Sequence, residues 1–161
     1  MSLEDDIAFL DRIPTFHLLG KDALRILAIS VETIRLARGD ILFEEGQPAD
    51  GGFVVVNGSI VLQNANDKTG DHVVTVKRGS LIGETALIVE TIRPSTAIAA
   101  ESSMLFRIPR VVFIRILEGE PQAATALRRL IGMRVDRVVA DLDLVRLLFD
   151  DSEGPREKNF R

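Results

Sequence analysis

Between Thr33 and Pro109 the chain is cut into short pieces by turn-forming clusters, and this punctuation restricts its fold more than any other feature. The clusters are Arg38-Gly39-Asp40, Gly46-Gln47-Pro48, Asp50-Gly51-Gly52, Asn57-Gly58, Asn66-Asp67-Lys68-Thr69-Gly70 and Arg78-Gly79-Ser80. Glycine, asparagine, aspartate and proline mark turns because they tolerate or impose backbone angles that other residues avoid. Between the clusters apolar residues alternate with polar or small ones, as Ile34 and Leu36 do with Arg35 and Ala37. Short strands spaced about 8–12 residues apart predict an all-β sandwich or barrel. We expect strands over 33–38, 40–43, 52–57, 59–64, 71–77, 81–83, 95–100 and 103–109. Asn57-Gly58, set between two apolar runs, predicts a two-residue hairpin.

The flanks have a different period. Over 1–32, Ile7, Leu10 and Leu18-Leu19 are interrupted by Pro14 and Gly20, and Ala23, Leu24, Leu27 and Ala28 then recur at helical spacing. After Pro109, Val111 to Leu117 predicts a short helix stopped by Gly119, and Pro121 suits the first turn of a long helix over 121–149. On that helix Ile131, Val135, Val138, Leu142, Val145 and Phe149 recur in steps of four and three, a heptad seam that predicts homodimerisation, the alternative being a helix packed on its own barrel. Arg128, Arg129, Arg134 and Arg137, interspersed with Asp136, Asp141 and Asp143, read as a solvated, salt-bridged face rather than a DNA contact. Residues 150–161 read as a polar tail.

The run from Gly79 to Ile88, closed by Arg93-Pro94-Ser95-Thr96-Ala97, carries the chemistry. Leu81-Ile82 reads as a buried strand that ends at Gly83, with a short helical segment from Thr85 to Val89 after it. A glycine at such a junction lets backbone N–H groups face outward, and a helix N-terminus attracts anions. Arg93, nine residues after Glu84, returns across the short helix and offers a bidentate cation. Glu84 has the wrong charge for a second phosphate ligand and suits a sugar hydroxyl. Together these residues describe a pocket for a phosphorylated sugar.

Gly83-Glu84-Thr85-Ala86-Leu87 with Arg93 and Ser95-Thr96 resembles the phosphate-binding cassette of the cyclic nucleotide-binding domain family. Gly39-Asp40-Ile41-Leu42-Phe43-Glu44-Glu45-Gly46, Asp50, Phe53-Val54-Val55 and Asn57-Gly58 resemble its first strands and glycine turns, and the likeness runs from about residue 7 to 149. The resemblance implies a mainly β fold with flanking helices over 1–149, built on an eight-stranded antiparallel β-roll, a jelly-roll-like barrel, at 33–109. It implies cAMP or cGMP as ligand, with no cofactor or metal. Glu84 would take the ribose 2′-hydroxyl and Arg93 the phosphate. Gly83 would make a backbone contact, Thr85 and Ala86 would give backbone N–H donors, and Ser95 a hydroxyl. Ile82 and Val74 would face the base.

Two positions depart from the family pattern: Ile92 stands where proline often precedes the arginine, and Pro94 follows it instead. Many cGMP-selective members carry a threonine after the arginine, so Pro94 favours cAMP. Val138 and Val139 stand where bacterial activators hold adenine with hydroxyls, which makes base recognition here apolar.

Composition narrows the alternatives. Zero cysteines exclude disulfides, thiolate metal sites and cysteine nucleophiles, and make the cytoplasm the expected compartment. The two histidines, His17 and His72, are too few and too far apart for a cupin-type metal centre, and no nucleophile–base pair is visible, so we expect no enzyme. A net charge of −4 argues against a dedicated nucleic-acid binder, and no apolar run or signal-like segment predicts a membrane anchor. The expected function is a ligand-operated dimeric adaptor with a downstream protein partner. Two alternatives remain open: a barrel that has lost nucleotide binding and serves protein interaction, and a transcription regulator subunit without its own helix-turn-helix.

Overall fold

The structure, a computed structural model, describes residues 2–65 and 73–138, the last nine of these by backbone alone. Three helices open the chain: α1 (Leu3–Asp11), α2 (Pro14–His17) and α3 (Lys21–Ser30). Ser2 and Asp5 cap α1 reciprocally, each backbone N–H donating to the other's side chain at 3.2 and 3.1 Å. Ten strands follow: β1 (Glu32–Leu36), β2 (Ile41–Phe43), β3 (Pro48–Ala49), β4 (Gly51–Asn57), β5 (Ser59–Gln63), β6 (Val74–Lys77), β7 (Leu81–Ile82), β8 (Thr91–Ile92), β9 (Thr96–Ala99) and β10 (Ser103–Pro109). A 3-10 turn at Thr85–Leu87 separates β7 from β8, and α4 (Arg110–Glu118) and α5 (Pro121–Val138) close the described chain.

All strand pairings are antiparallel. One sheet runs β1-β10-β4-β7, a second runs β2-β9-β5-β6, and β3 pairs with β8 alone. β4 is buried from Gly51 to Val56 without alternation because both faces of its sheet are covered. Val54 and Val56, with Phe106 and Ile108 of β10, face the helices, where Leu10, Phe16, Leu27 and Phe113 complete one core. Phe53, Val55 and Leu105 face the second sheet and meet Phe43, Ile60, Ile82 and Ala97 in another. The first sheet is the middle layer between helices and second sheet.

Several expectations need correction. Ten strands are described rather than eight, and the two four-stranded sheets are not hydrogen-bonded into a closed barrel. Asn57-Gly58 is no hairpin, since β4 and β5 lie in different sheets. Gly58, at φ +88°, turns the chain from one sheet to the other, so close to β10 that an added Cβ would stand 2.2 Å from the Ser103 hydroxyl. The helical segment expected over Thr85–Val89 is the three-residue 3-10 turn. α5 is described to Val138, with Ile131, Val135 and Val138 by backbone alone, and its expected continuation to 149 lies outside the described residues. Leu142, Val145, Phe149, Val139, the 150–161 tail and His72 lie outside the described residues.

Candidate functional site

β7 ends at Gly83, whose φ of +82° is one that residues with a Cβ rarely adopt. Space imposes the same choice: a Cβ here would stand 2.7 Å from Arg93 Nη1 and 3.2 Å from the Gly51 carbonyl oxygen. Gly83 and Arg93 are therefore packed against each other. The backbone of Arg93 is pinned by the small β3–β8 ladder, in which Pro48 opposes Ile92 and Ala49 opposes Thr91. One step beyond it, Arg93 N–H donates to the Gln47 carbonyl at 2.8 Å, and Gly46 N–H donates to the Arg93 carbonyl at 2.8 Å. Pro94 holds Arg93 extended, which suits that ladder.

Arg93 is 4 % exposed. Its Cζ lies 4.3 Å from the centre of the Phe43 ring and 5.4 Å from that of Phe53. The two rings stack, 5.9 Å apart and inclined by 29°, and each comes from a different sheet. The guanidinium thus rests on an aromatic floor that both sheets build. Burial lowers its pKa, Asp50 opposes that shift, and Arg107 and Arg110 add to it. Among the described residues no carboxylate forms an ion pair with Arg93. Asp50 is itself 2.9 Å from Arg107, which also reaches Glu32 at 3.0 Å.

Glu84 is half-buried and enters the 3-10 turn without capping it. Its carboxylate Oε2 accepts a hydrogen bond from the hydroxyl of Thr15 on α2. The turn is folded on itself, for Ala86 N–H donates to the Gly83 carbonyl at 3.1 Å. Its far end is clasped by Arg110 at the start of α4. Arg110 Nη1 donates to the carbonyls of Ala86 at 3.2 Å, Val89 at 3.1 Å and Ala49 at 2.9 Å.

Ile82 is buried in the inter-sheet core, opposite Phe53. Val74 ends a row that crosses the second sheet from Phe43 through Ala97 and Leu62. Opposed residues share a face, so Val74 lies on the Phe43 side of the sheet, 52 % exposed. Ser95 is half-buried in the bend between Arg93 and β9. Gly83, Glu84, Thr85, Ala86 and Arg93 are brought together; Val74 stands on the edge strand of the second sheet. His17 is elsewhere, on α2 and 2.9 Å from Asp11. Among the described residues no group of three or more His, Cys, Asp or Glu could hold a metal ion, and no helix is long and apolar enough to cross a membrane.

Sequence reasoning missed Phe43, Phe53, Thr15 and Arg110. The two phenylalanines carried a usable signal, since each occupies the inward phase of its strand. Nothing local marks Thr15 or Arg110, whose partners lie far along the chain.

The cyclic nucleotide-binding domain profile matches residues 33–120, more than half of the 161 residues. A cyclic nucleotide-binding-like protein from Brucella abortus is 38% identical, with a TM-score of 0.62 over 71% of this chain and 98% of that one. The cAMP-dependent protein kinase regulatory subunit of Pyricularia oryzae is 34% identical over 110 residues, or 63% of this chain and 28% of that subunit. A lysophospholipase of Yarrowia lipolytica is 24% identical over 159 residues, taking in 81% of this chain. The chain spans only 11% of that enzyme's length. Fold, cassette and profile agree: this chain belongs to the cyclic nucleotide-binding domain family.

Proposed function

We propose that this chain binds a cyclic nucleotide at the Gly83–Arg93 cassette, cAMP in preference to cGMP, and works as a regulatory module rather than an enzyme. The observation that carries the reading is Arg93, a residue 4 % exposed whose guanidinium lies on two phenylalanine rings without a carboxylate in ion-pair contact among the described residues. A buried charge is costly until it is paired, and a cyclic phosphate supplies both the missing charge and two oxygens for the guanidinium fork. The Gly83 and Thr85 backbones and the Ser95 hydroxyl complete the phosphate side. Ala86 N–H joins only if its 3.1 Å bond to Gly83 opens or is shared. Glu84 takes the ribose 2′-hydroxyl, while Ile82 and the exposed Val74 favour a flat apolar base. Pro94 withholds the hydroxyl that would favour guanine.

Occupancy is transmitted through Arg110, which ties the cassette turn to α4 and so to α5. Two copies pair along the Ile131–Phe149 seam and present the change to a downstream protein partner in the cytoplasm, without direct DNA contact. Calorimetric titration of nucleotide-free protein tests the reading. We expect cAMP to bind more tightly than cGMP, and Arg93→Ala to lose about 2–5 kcal/mol of affinity. Arg93→Lys should recover part of that loss, lacking the planar fork. Equal affinity for wild type and Arg93→Ala would move the ligand elsewhere. No binding by wild type would leave a family member that does not bind cyclic nucleotide.

A further inference from the structure

We propose that Thr15 is a positioning residue for Glu84, so that the N-terminal helices take part in recognising the sugar of the ligand. The inference rests on the cyclic-nucleotide reading above. Thr15 is 3 % exposed, a degree of burial that its hydroxyl tolerates only with a partner. Its partner is the Glu84 carboxylate, 69 residues further along the chain. Pro14, at the first position of α2 behind an extended Ile13, sets the direction in which Thr15 leaves the backbone. The next residue, Phe16, is fully buried against Phe113 of α4, with ring centres 5.9 Å apart. This one-turn helix is therefore wedged in place, with Phe16 on α4 and Thr15 on the cassette.

The chemistry of the pair defines its role. A threonine hydroxyl has one proton to donate, and here it goes to Glu84 Oε2. An ionised carboxylate accepts several hydrogen bonds, so Thr15 and a sugar hydroxyl can share it. A glutamate side chain left to itself samples many rotamers. Holding one oxygen from the buried side narrows that choice further before the ligand arrives, which favours binding by pre-organisation. Thr15 touches the ligand only through Glu84. Its influence is accordingly confined to ligands that carry the hydroxyl Glu84 recognises.

The test measures the affinity of full-length protein for cAMP and cGMP, each against its 2′-deoxy analogue. Wild type should prefer the ribose form by roughly tenfold or more, the scale of a hydrogen bond to a charged group. Thr15→Val keeps the shape and removes the donor. It should bring the preference to within about threefold while binding the 2′-deoxy forms as wild type does. Thr15→Ser restores a hydroxyl and should restore the preference. If Thr15→Val does not fold, Thr15→Ala with Thr15→Ser supplies the same comparison. Equal weakening of ribose and 2′-deoxy forms would reduce Thr15 to a packing residue, and an unchanged preference would remove its role; either result overturns this proposal and leaves the cyclic-nucleotide reading intact. Wild type that binds none of the four compounds overturns both.

Discussion

Arg93 Nη1 lies within 2.7 Å of where a Cβ on residue 83 would stand, so the glycine and the arginine depend on each other. Gly83→Ala should therefore fail twice. A Cβ at φ +82° strains the backbone by about 1–2 kcal/mol, and it pushes the guanidinium off its position above Phe43 and Phe53. We expect a urea denaturation midpoint lowered accordingly and a cAMP affinity reduced by roughly tenfold or more, since 1.4 kcal/mol suffices for that. Wild-type values for both would show that residue 83 does not shape the site. Gly83, Glu84 and Arg93 were legible in the sequence because a short turn holds them at fixed separations. The strand phase of Phe43 and Phe53 marked them as inward-facing but not as neighbours of the cassette, and nothing local marked Thr15, because what places all three there is the packing of two sheets and a helix whose partners lie 40 to 70 residues away.

The elements that position the site are small ones. β3 and β8 have two residues each, too few for any periodicity to show, and Pro48 reads more readily as a turn than as a strand. Yet this ladder fixes the backbone at Arg93. The longer strands were readable from alternation and turns, whereas the sheet each one joins was not. Asn57-Gly58 shows why: the same dipeptide that closes hairpins here carries the chain between sheets, because its close approach to Ser103 leaves room only for glycine. α5 raises the question of partners. Its heptad seam, Ile131 to Phe149, would bury about 1.5–3 kcal/mol per large apolar side chain in a paired helix. Val138→Glu with Leu142→Glu should convert a dimer to monomers, followed by sedimentation over a range of concentrations. Wild type that is already monomeric at high micromolar concentration would contradict pairing through this seam.

At the scale of the whole molecule, the middle sheet separates two cores, one shared with the helices and one with the second sheet. The cassette joins them: Ile82 enters the inter-sheet core, Leu87 and Val89 enter the helical core, and the Arg110 clasp binds its end to α4. On the proposed reading, a ligand that engages Arg93 and Glu84 would act on both layers, and its binding energy would add to the stability of the entire fold. In the proposed function Arg93 is the buried cation that pairs with the ligand's anion. Thermal melting of nucleotide-free wild type and Arg93→Met, each with and without cAMP, tests it most directly. Ligand at a hundred times its dissociation constant stabilises by about 2.7 kcal/mol, which raises the midpoint of a domain this size by about 5–10 °C. Arg93→Met removes an uncompensated buried charge, so without ligand it should melt at or above wild type, and cAMP should leave its midpoint unmoved. A wild-type midpoint indifferent to cAMP, or an Arg93→Met midpoint that rises with cAMP as far as wild type does, would show that Arg93 does not hold the nucleotide.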